Sequence, residues 1–320
     1  MKKLAAFILL FAFPVCAQEF GQVGTSGAQL LKISFDPRAS SLGYAAASVV
    51  DNASALYTNP AGIEAISTFD LAFAYVPWFA DIQMASVAAA LRIPDIGVVG
   101  FQAAGFSSEE EITTVEMENG TGRMYSIKNY TFGVGFARKI TDRLALGLQG
   151  KVIFEMYYGH HTTGLAFDLG TRYDLGFSGS WLALSLQNFG PDLSPLSGSY
   201  LDYSDANVRK GYTRTPLPVM FRASFSIEPI ANDFYRLRVI ADLVHPNDNK
   251  EHYNVGTELL LYDMVALRGG LKINYDDESF AAGIGLRGAE MLGQNLRLDY
   301  SYEYFSILPS VHKIAVGFAL

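Results

Sequence analysis

Alternation of apolar and polar residues is the strongest pattern in this chain. Every second residue from 296 to 304 is Leu or Tyr, and the residues between them are Arg297, Asp299, Ser301 and Glu303. Residues 313–320 alternate in the same way. Alternation places one set of side chains on each face of a β-strand. Because these segments run to about ten residues with aromatic side chains near their ends, they are typical of lipid-facing barrel strands rather than of a soluble sandwich.

The pattern predicts fourteen strands, and bacterial membrane barrels require an even number. The predicted strands cover residues 68–76, 82–92, 96–106, 128–138, 143–157, 162–173, 180–189, 217–227, 235–245, 252–262, 264–275, 279–287, 295–305 and 311–320. With both termini in the periplasm, the two longest gaps, 107–127 and 190–216, become outer loops. The gaps 93–95, 140–142, 174–179 and 288–294 become periplasmic turns. We therefore expect an all-β transmembrane antiparallel barrel over residues 68–320.

The first residues resemble a signal peptide. Lys2 and Lys3 precede an apolar run from 4 to 13, and Ala17 ends a small-residue cleavage site. Lipidation at Cys16 is the alternative, although Phe13 and Pro14 fit a lipoprotein signal poorly. Cleavage near Ala17 would deliver a chain to the outer membrane without its single cysteine, and so without disulfides. No second segment is long and apolar enough for a membrane helix.

Composition agrees with extensive apolar surface. Half of the residues are hydrophobic and 18% are charged, below the roughly 25% typical of soluble domains. The net charge of −8 argues against nucleic acid as a partner.

Residues 18–67 do not alternate and precede the barrel, so we predict an N-terminal plug with short helices in the lumen. Residues 28–35 have a helix-like apolar spacing, and residues 51–54 are suited to cap a helix at Ala55. A disordered periplasmic segment is the alternative, which the apolar content disfavours.

The polar faces of the predicted strands carry many charges. We expect them to pair with one another and with plug carbonyls, as a plugged barrel needs, rather than to line an open polar pore. The bases are Lys151, Arg172, Arg222, Arg236, Arg238, Arg268, Lys272 and Arg297, and the acids are Glu155, Asp168, Asp242, Glu258, Asp299 and Glu303.

Few residues are candidates for catalysis or metal binding. His160 and His161 are adjacent in a predicted outer gap, and neighbours on a strand point to opposite faces and chelate poorly. Glu109, Glu110 and Glu111 lack regular calcium-ligand spacing. No nucleophile triad, phosphate loop or zinc spacing is visible. We therefore predict no enzyme activity, no cofactor and no metal.

Two further features are candidates for transport or contact. Trp78 and Phe79 either grip a hydrophobic substrate or partner, or belong to an interfacial aromatic belt. Gly97, Gly100 and Gly105 in the third strand, after Pro94, predict a kink and a lateral opening in the wall.

The region before the barrel resembles a known family. It contains Gly-Thr-Ser-Gly-Ala-Gln-Leu-Leu-Lys-Ile at 24–33, followed by Pro37, Arg38, Ala39 and Gly43. Asp-Asn-Ala-Ser-Ala-Leu-Tyr-Thr then leads into the motif Asn59, Pro60, Ala61 and Gly62. These stretches resemble the opening of the PorV/PorQ family of outer-membrane proteins, which is similar in turn to the long-chain fatty-acid transporter FadL. Both resemblances imply a fourteen-stranded barrel with an N-terminal plug.

The two resemblances imply different functions. PorV implies type IX secretion, with translocon proteins, attachment proteins and secreted substrates carrying C-terminal signal domains as partners. Tyr200, Tyr203 and Tyr212 in the second long outer loop would then be partner contacts, since Tyr is enriched in protein interfaces. FadL implies passive uptake of hydrophobic small molecules such as long-chain fatty acids. The PorV/PorQ-like opening favours secretion, with transport as the alternative.

Overall fold

Fourteen long strands form a single closed antiparallel sheet. The structure, a computed structural model, describes residues 23–118, 120–157, 160–195, 199–202, 205–211, 214–291 and 294–320. The strands are β1 Phe69–Pro77, β2 Gln83–Ile93, β3 Gly97–Glu111, β4 Met124–Lys139, β5 Leu144–Tyr157, β6 His160–Asp174, β7 Trp181–Phe189, β8 Met220–Ala231, β9 Tyr235–Pro246, β10 His252–Leu261, β11 Val265–Ile273, β12 Glu278–Met291, β13 Gln294–Phe305 and β14 Val311–Ala319. Each pairs with the next, and β1 pairs with β14 from Asp70↔Ala319 to Tyr75↔Ile314. The predicted fourteen-strand barrel is confirmed.

The two faces of the wall have the chemistry that the alternation predicts. On β5, Leu148 and Phe154 are exposed on the outside, while Gln149, Lys151 and Glu155 are buried inside. Every strand of a closed barrel satisfies its backbone groups from its two neighbours. An apolar outer face and a polar inner face therefore suit a wall that contacts lipid outside.

Four short helices lie in the described part of the chain that precedes the barrel. Gln29–Lys32, Ala53–Tyr57 and Pro60–Ala65 are 3-10 helices, and Pro37–Ser41 is an α-helix. Within the described residues, no helix has the length and apolarity needed to cross a membrane. Asn52 caps the second 3-10 helix by accepting a hydrogen bond from the Ser54 amide at 2.9 Å. The helix thus begins at Ala53, two residues earlier than predicted.

We call residues 23–66 the lumenal segment, because they pack against the inner face of the wall. Its helices contact a continuous part of the wall, from β11 through β14 and β1 to β6. Leu42, Val49, Val50, Leu56 and Ile63 form the middle of a fully buried apolar cluster. Residues 1–22, including the predicted signal peptide, cleavage site and Cys16, lie outside the described residues.

Several predicted boundaries are wrong, and local pairing explains each. The predicted loop 107–127 shrinks because β3 and β4 continue as a hairpin to the pair Glu111↔Met124. Residues 288–291 of the predicted gap 288–294 are strand instead, because a bulge between Leu286 and Ala289 lets β12 continue to Met291. Single-sequence alternation misses bulges, since the extra residue shifts the period.

The predicted lateral opening at the third strand is also wrong. β3 pairs without a break with β2 from Gly97 to Phe106 and with β4 from Val98 to Glu111. The glycines there serve packing, because a side chain at Gly100 would meet Leu56 of the lumenal segment. The irregular wall is at β6 and β7, where the register shifts between Phe167 and Leu169 and Asn188 has φ 61°.

Candidate functional site

A cavity of about 350 Å³ lies at the outer mouth of the barrel, above the lumenal segment. Its wall combines aromatic and aliphatic side chains with a group of charges. The residues that line this outer cavity are Lys32, Tyr44, Trp78, Phe79, Met220, Arg222, Val244, Pro246, Asn249, His252, Tyr275, Asp276, Asp277, Glu278, Phe305 and Leu308.

One side of the outer cavity is aromatic. The rings of Trp78 and Phe79 lie 4.8 Å apart between centroids, and the Phe305 ring meets both edge-on at 6.2 and 6.3 Å. These rings pack on a buried cluster that includes Phe35 of the lumenal segment. Trp78 and Phe79 therefore line the lumen at its outer end.

The floor of the outer cavity is polar, and its positive and negative side chains pair with one another. The Lys272 ammonium lies 3.7 Å from the centroid of the Tyr44 ring and 3.0 Å from the Glu303 carboxylate. Lys313 approaches the same carboxylate at 2.5 Å. Burial and the Glu303 charge raise the pKa of Tyr44 well above its ordinary value. The phenol therefore stays protonated and donates its hydrogen bond to Glu303 at 3.1 Å.

Arg222 is a floor residue with unused hydrogen-bonding capacity. Its side chain is buried, and its Nη1 donates to the Tyr44 carbonyl at 2.6 Å and contacts Asp242 at 3.4 Å. Its Nε has no partner. The Arg222 guanidinium thus lines the floor with one N–H that no described protein group accepts.

The rim of the outer cavity ties the lumenal segment to an outer loop. Lys32 contacts Asp248 at 2.6 Å, and Ser26 donates a hydrogen bond to the same carboxylate. Burial opposes the ionisation of Asp248, but the hydrogen bonds from Lys32 and Ser26 outweigh it and lower the pKa of this carboxyl. The contact is therefore an ion pair at neutral pH.

Below the outer cavity, buried ion pairs hold the lumenal segment. Arg38 is 2% exposed and donates to both Glu258 oxygens at 3.0 and 2.9 Å, and to Asp51 at 2.7 Å. Burial opposes the ionisation of Asp51, and the Arg38 guanidinium reverses the balance and lowers the pKa of that carboxyl. Glu258 also accepts from Arg268 at 2.7 Å.

Wall charges also reach the backbone of the lumenal segment. Arg172 donates to the Ser48 carbonyl at 3.0 Å, and Lys313 donates to the Ser34 carbonyl at 2.8 Å. Lys151 pairs with Asp168 at 2.8 Å, within the wall. The predicted pairing of lumen charges with one another and with plug carbonyls is confirmed for these residues. These contacts do not form a continuous polar pore.

The Asn59-Pro60-Ala61-Gly62 motif is a packing element against the wall. Asn59 donates to the carbonyls of Ala47 and Thr171, at 3.0 Å each, and its own oxygen accepts from the Ala61 amide at 3.1 Å. Two wall glycines lie against the motif, and a Cβ on either Gly147 or Gly170 would come within 3.0 Å of it. The motif thus joins the lumenal segment to β5 and β6 and lies away from the outer cavity.

The other residues singled out in the sequence do not join the outer cavity. Tyr200 lies in a short outer-loop strand, Ser199–Asp202, and Tyr203 and Tyr212 lie outside the described residues. His160 and His161 begin β6, paired with Tyr157 and Met156, instead of lying in a loop. Glu109, Glu110 and Glu111 are exposed at the outer end of β3. No group of three metal-ligating side chains occurs among the described residues.

Sequence reasoning missed several residues of the outer cavity. Tyr275 is predicted on the lipid face of a strand ending at 275, but β11 ends at Ile273. Asn274 has φ 67°, which breaks the alternation and lets Tyr275 line the cavity. The Asn274-Tyr275-Asp276-Asp277 composition is a turn signal that would have shortened the strand.

Comparison with solved structures identifies this architecture. The toluene transporter TbuX of Ralstonia pickettii matches with a TM-score of 0.58 and 13% identity over 90% of this chain and 98% of that one. The monoaromatic hydrocarbon channel CymD matches with a TM-score of 0.60 and 10% identity over 89% and 96%. A Pseudomonas aeruginosa FadL homologue matches with 0.54 and 10% over 90% and 98%. The chain has the FadL-like barrel fold. No protein-family model and no curated protein matches it.

The FadL-like fold bears on two expectations. Two of the matched structures are described as a toluene transporter and a monoaromatic hydrocarbon channel, and the prediction that the chain is not an enzyme agrees with them. The FadL resemblance is confirmed at the level of the fold. At 10–13% identity the match shows the fold alone, because a shared fold does not fix function.

Proposed function

We propose that this FadL-like barrel is a passive outer-membrane channel for hydrophobic small molecules, which first bind in the outer cavity. The observation that carries the proposal is the aromatic surface of Trp78, Phe79 and Phe305 at the outer end of the lumen. Ligand sites are concave, mostly apolar and equipped with few polar groups. Two similar structures are described as a toluene transporter and a monoaromatic hydrocarbon channel, which supports this class of substrate.

The outer cavity suits a compact hydrophobic molecule, with or without one acidic group. Its volume of about 350 Å³ lies at the small end of ligand pockets. Aromatic rings contact a hydrocarbon in offset or edge-on arrangements. The Arg222 guanidinium on the floor would favour a carboxylate or hydroxyl on the ligand. Monoaromatic hydrocarbons such as toluene meet this description, whereas an extended long-chain fatty acid does not.

Passage beyond the outer cavity requires movement of the lumenal segment, whose two parts are held differently. Residues from Arg38 onward are fixed by buried ion pairs with the wall. The part before them is held by apolar contacts, by the hydrogen bond from Lys313 to the Ser34 carbonyl and by the partly exposed pair Lys32–Asp248, and it has no buried ion pair with the wall among the described residues. We infer that residues 23–35 move first when a ligand enters, because their contacts are the weaker set.

Intrinsic fluorescence offers a direct test, because the chain contains two tryptophans at opposite ends of the lumen. Trp78 lines the outer cavity, whereas Trp181 begins β7 at the periplasmic end and lies under Arg172 at 4.1 Å. In Trp181→Phe, bromobenzene should quench Trp78 with a saturable dependence on concentration, because the heavy atom reaches the ring only when bound. In Trp78→Phe, the remaining Trp181 should show only linear, non-saturable quenching.

The matched variant Phe305→Ala, made in the Trp181→Phe background, removes one face of the aromatic surface. We expect binding about three- to tenfold weaker, since an aromatic pair contributes about 0.5–1.5 kcal/mol beyond its buried area. Uptake of labelled toluene by cells expressing the same variants should fall in the same order. Equal saturable quenching of both tryptophans, or uptake unaffected by Phe305→Ala, would contradict binding in the outer cavity.

A role in type IX secretion is the second candidate, and the motif-bearing opening that resembles PorV/PorQ favours it. The β3–β4 hairpin gives it a surface, because pairing continues through Glu109, Glu110 and Glu111 into an exposed acidic tip. Translocon and attachment proteins, and substrates with C-terminal signal domains, would be the partners. Tyr200, Tyr203 and Tyr212 of the second outer loop would be further contacts.

Shortening the hairpin separates the two candidates. Removing residues 109–126 and closing β3 to β4 with a two-residue turn leaves the outer cavity intact, because none of its lining residues lies there. A secretion factor should lose crosslinks to translocon proteins in native membranes and keep hydrocarbon binding. A chain that crosslinks to no secretion protein before the deletion is not such a factor.

A further inference from the structure

A second cavity lies on the opposite side of the wall, on the lipid face of the barrel. This lipid-facing groove has a volume of about 470 Å³ and crosses strands β4 to β8. Its upper edge is one row of paired outward residues, Phe136, Leu148, Leu169, Leu186 and Phe221. Arg138 and Thr171 are the polar residues of its two edges, and the other edge residues are apolar. The groove therefore suits a hydrocarbon chain.

The lower edge of the groove explains why there is a depression at all. The next outward row runs Arg138, Leu146, Thr171 and Leu184 across the same strands. Thr171 is short beside its leucine neighbours, and the inward positions beneath are Gly147, Gly170 and Ser185. The glycines admit the Asn59-Pro60-Ala61 motif from inside. The outer surface is therefore hollow at Thr171, between its longer leucine neighbours.

The groove slopes through the membrane. Arg138 lies beside Lys139, the last residue of β4 at the periplasmic end. At the other end, Phe221 lies about ten residues before Ala231, the periplasmic end of β8, which is roughly 33 Å of strand at about 3.3 Å per residue. A row of paired residues rises in this way because barrel strands tilt by about 35–45°. One end of the groove thus lies near the periplasmic interface. The other lies near the outer end of the wall, because Phe221 follows Met220 of the outer cavity and pairs with the exposed His245.

The lower end is basic. Arg138 also borders a pocket of about 340 Å³ at the periplasmic rim, with Arg92, Lys139, Glu64 and Asp95. Glu64 engages Arg92 at 3.1 Å and Lys139 at 3.6 Å. Arg138 has no ion-pair partner among the described residues. Guanidinium groups bind phosphate bidentately, and basic pockets at the interface recognise lipid headgroups.

We propose that the lipid-facing groove binds one phospholipid of the periplasmic leaflet. One acyl chain lies along the lower part of the groove, from Leu146 past Thr171 to Leu184, and the headgroup phosphate accepts hydrogen bonds from Arg138. Charge complementarity at one end and apolarity along the rest match the two parts of a phospholipid. The site is separate from the outer cavity and does not depend on the proposed transport.

Native mass spectrometry of the detergent-purified full chain tests this site. The probes are phosphatidylglycerol and a diacylglycerol with the same chains. The wild-type protein should retain one phosphatidylglycerol at collision energies that remove diacylglycerol. Arg138→Gln should weaken phosphatidylglycerol binding about five- to tenfold and leave diacylglycerol binding unchanged, because it removes only the phosphate contact.

Thr171→Phe should weaken binding of both lipids, because the new ring fills the hollow. Ala241→Phe is its matched control, since Ala241 is an exposed outward residue on β9, beyond the groove. Heat-modifiable gel migration verifies that each variant is folded. Equal retention of both lipids by the wild type, or unchanged phosphatidylglycerol binding in both Arg138→Gln and Thr171→Phe, would overturn the proposal and indicate unspecific lipid contact.

Discussion

Replacing Arg38 with Met should loosen the lumenal segment and leave the barrel wall intact. Arg38 is fully surrounded, and its three charge-assisted hydrogen bonds reach Glu258 and Asp51. Met keeps a similar unbranched side chain without the charge, so the substitution tests the ion pairs rather than the packing. Each strand of the wall remains paired to both neighbours.

The free-energy cost of Arg38→Met depends on the contacts that Glu258 and Asp51 retain. Breaking a buried ion pair by removing one partner costs about 3–5 kcal/mol. Glu258 would still accept from Arg268 at 2.7 Å and lie 3.4 Å from Arg238 and Arg287, so it is not left without compensation. The Asp51 side chain is 40% exposed and can be hydrated. We therefore expect the lower limit, about 3 kcal/mol, which raises the undocked fraction of the segment by about a hundredfold.

A thiol reporter measures that fraction. The chain has one cysteine, Cys16, inside the predicted signal peptide. Ser54→Cys then introduces a near-isosteric thiol at a position 8% exposed in the lumenal segment. When undocking is fast relative to labelling, the maleimide rate follows the open population. Arg38→Met should raise this rate about a hundredfold at neutral pH.

Arg236→Met is the matched control, because Arg236 pairs with the exposed Asp263 at the periplasmic end. An exposed pair contributes about 0–1 kcal/mol, so labelling should change less than about fivefold. If Arg38→Met labels no faster than Arg236→Met, the ion pairs do not hold the segment, and apolar packing alone must do so.

Three further outcomes follow from the structure. Gly270→Ala should lower the temperature at which the barrel unfolds in heat-modifiable migration, since the new Cβ would come within 3.0 Å of the backbone of the lumenal segment. Gly269→Ala should leave that temperature unchanged, because the nearest neighbour of its Cβ is Thr257 Oγ1 at 3.9 Å. The Lys32–Asp248 contact should persist from pH 8 to pH 5 and weaken only as the pH falls through the lowered pKa of Asp248, which lies below its ordinary value of 3.8. Spin labels at positions 29 and 250 should report a broadened distance distribution only in that acidic range. Deleting residues 23–66 should raise single-channel conductance in planar bilayers, and a full-length chain that already conducts as strongly would contradict a closed lumen.

The sequence by itself determined the wall. Lipid outside and polar contacts inside impose a period of two on every strand, and that period is local, so fourteen segments are visible without tertiary information. The charged inner faces likewise predicted ion pairs, because a buried charge must find a partner. The alternation failed where backbone geometry interrupts the period, at the bulge near Gly288 and at Asn274, where φ is 67°.

The tertiary structure alone decided the sites. The outer cavity joins Tyr44, Trp78, Arg222 and Phe305, which are far apart in sequence and meet only when the barrel closes around the lumenal segment. The third-strand glycines looked like a gap in the wall, yet Gly100 receives Leu56, and a glycine's role depends on what lies opposite it. The lipid-facing groove likewise requires Arg138 on β4 and Phe221 on β8 to share one face. Strand register brings these residues together, and register depends on long-range pairing that alternation along one strand does not encode.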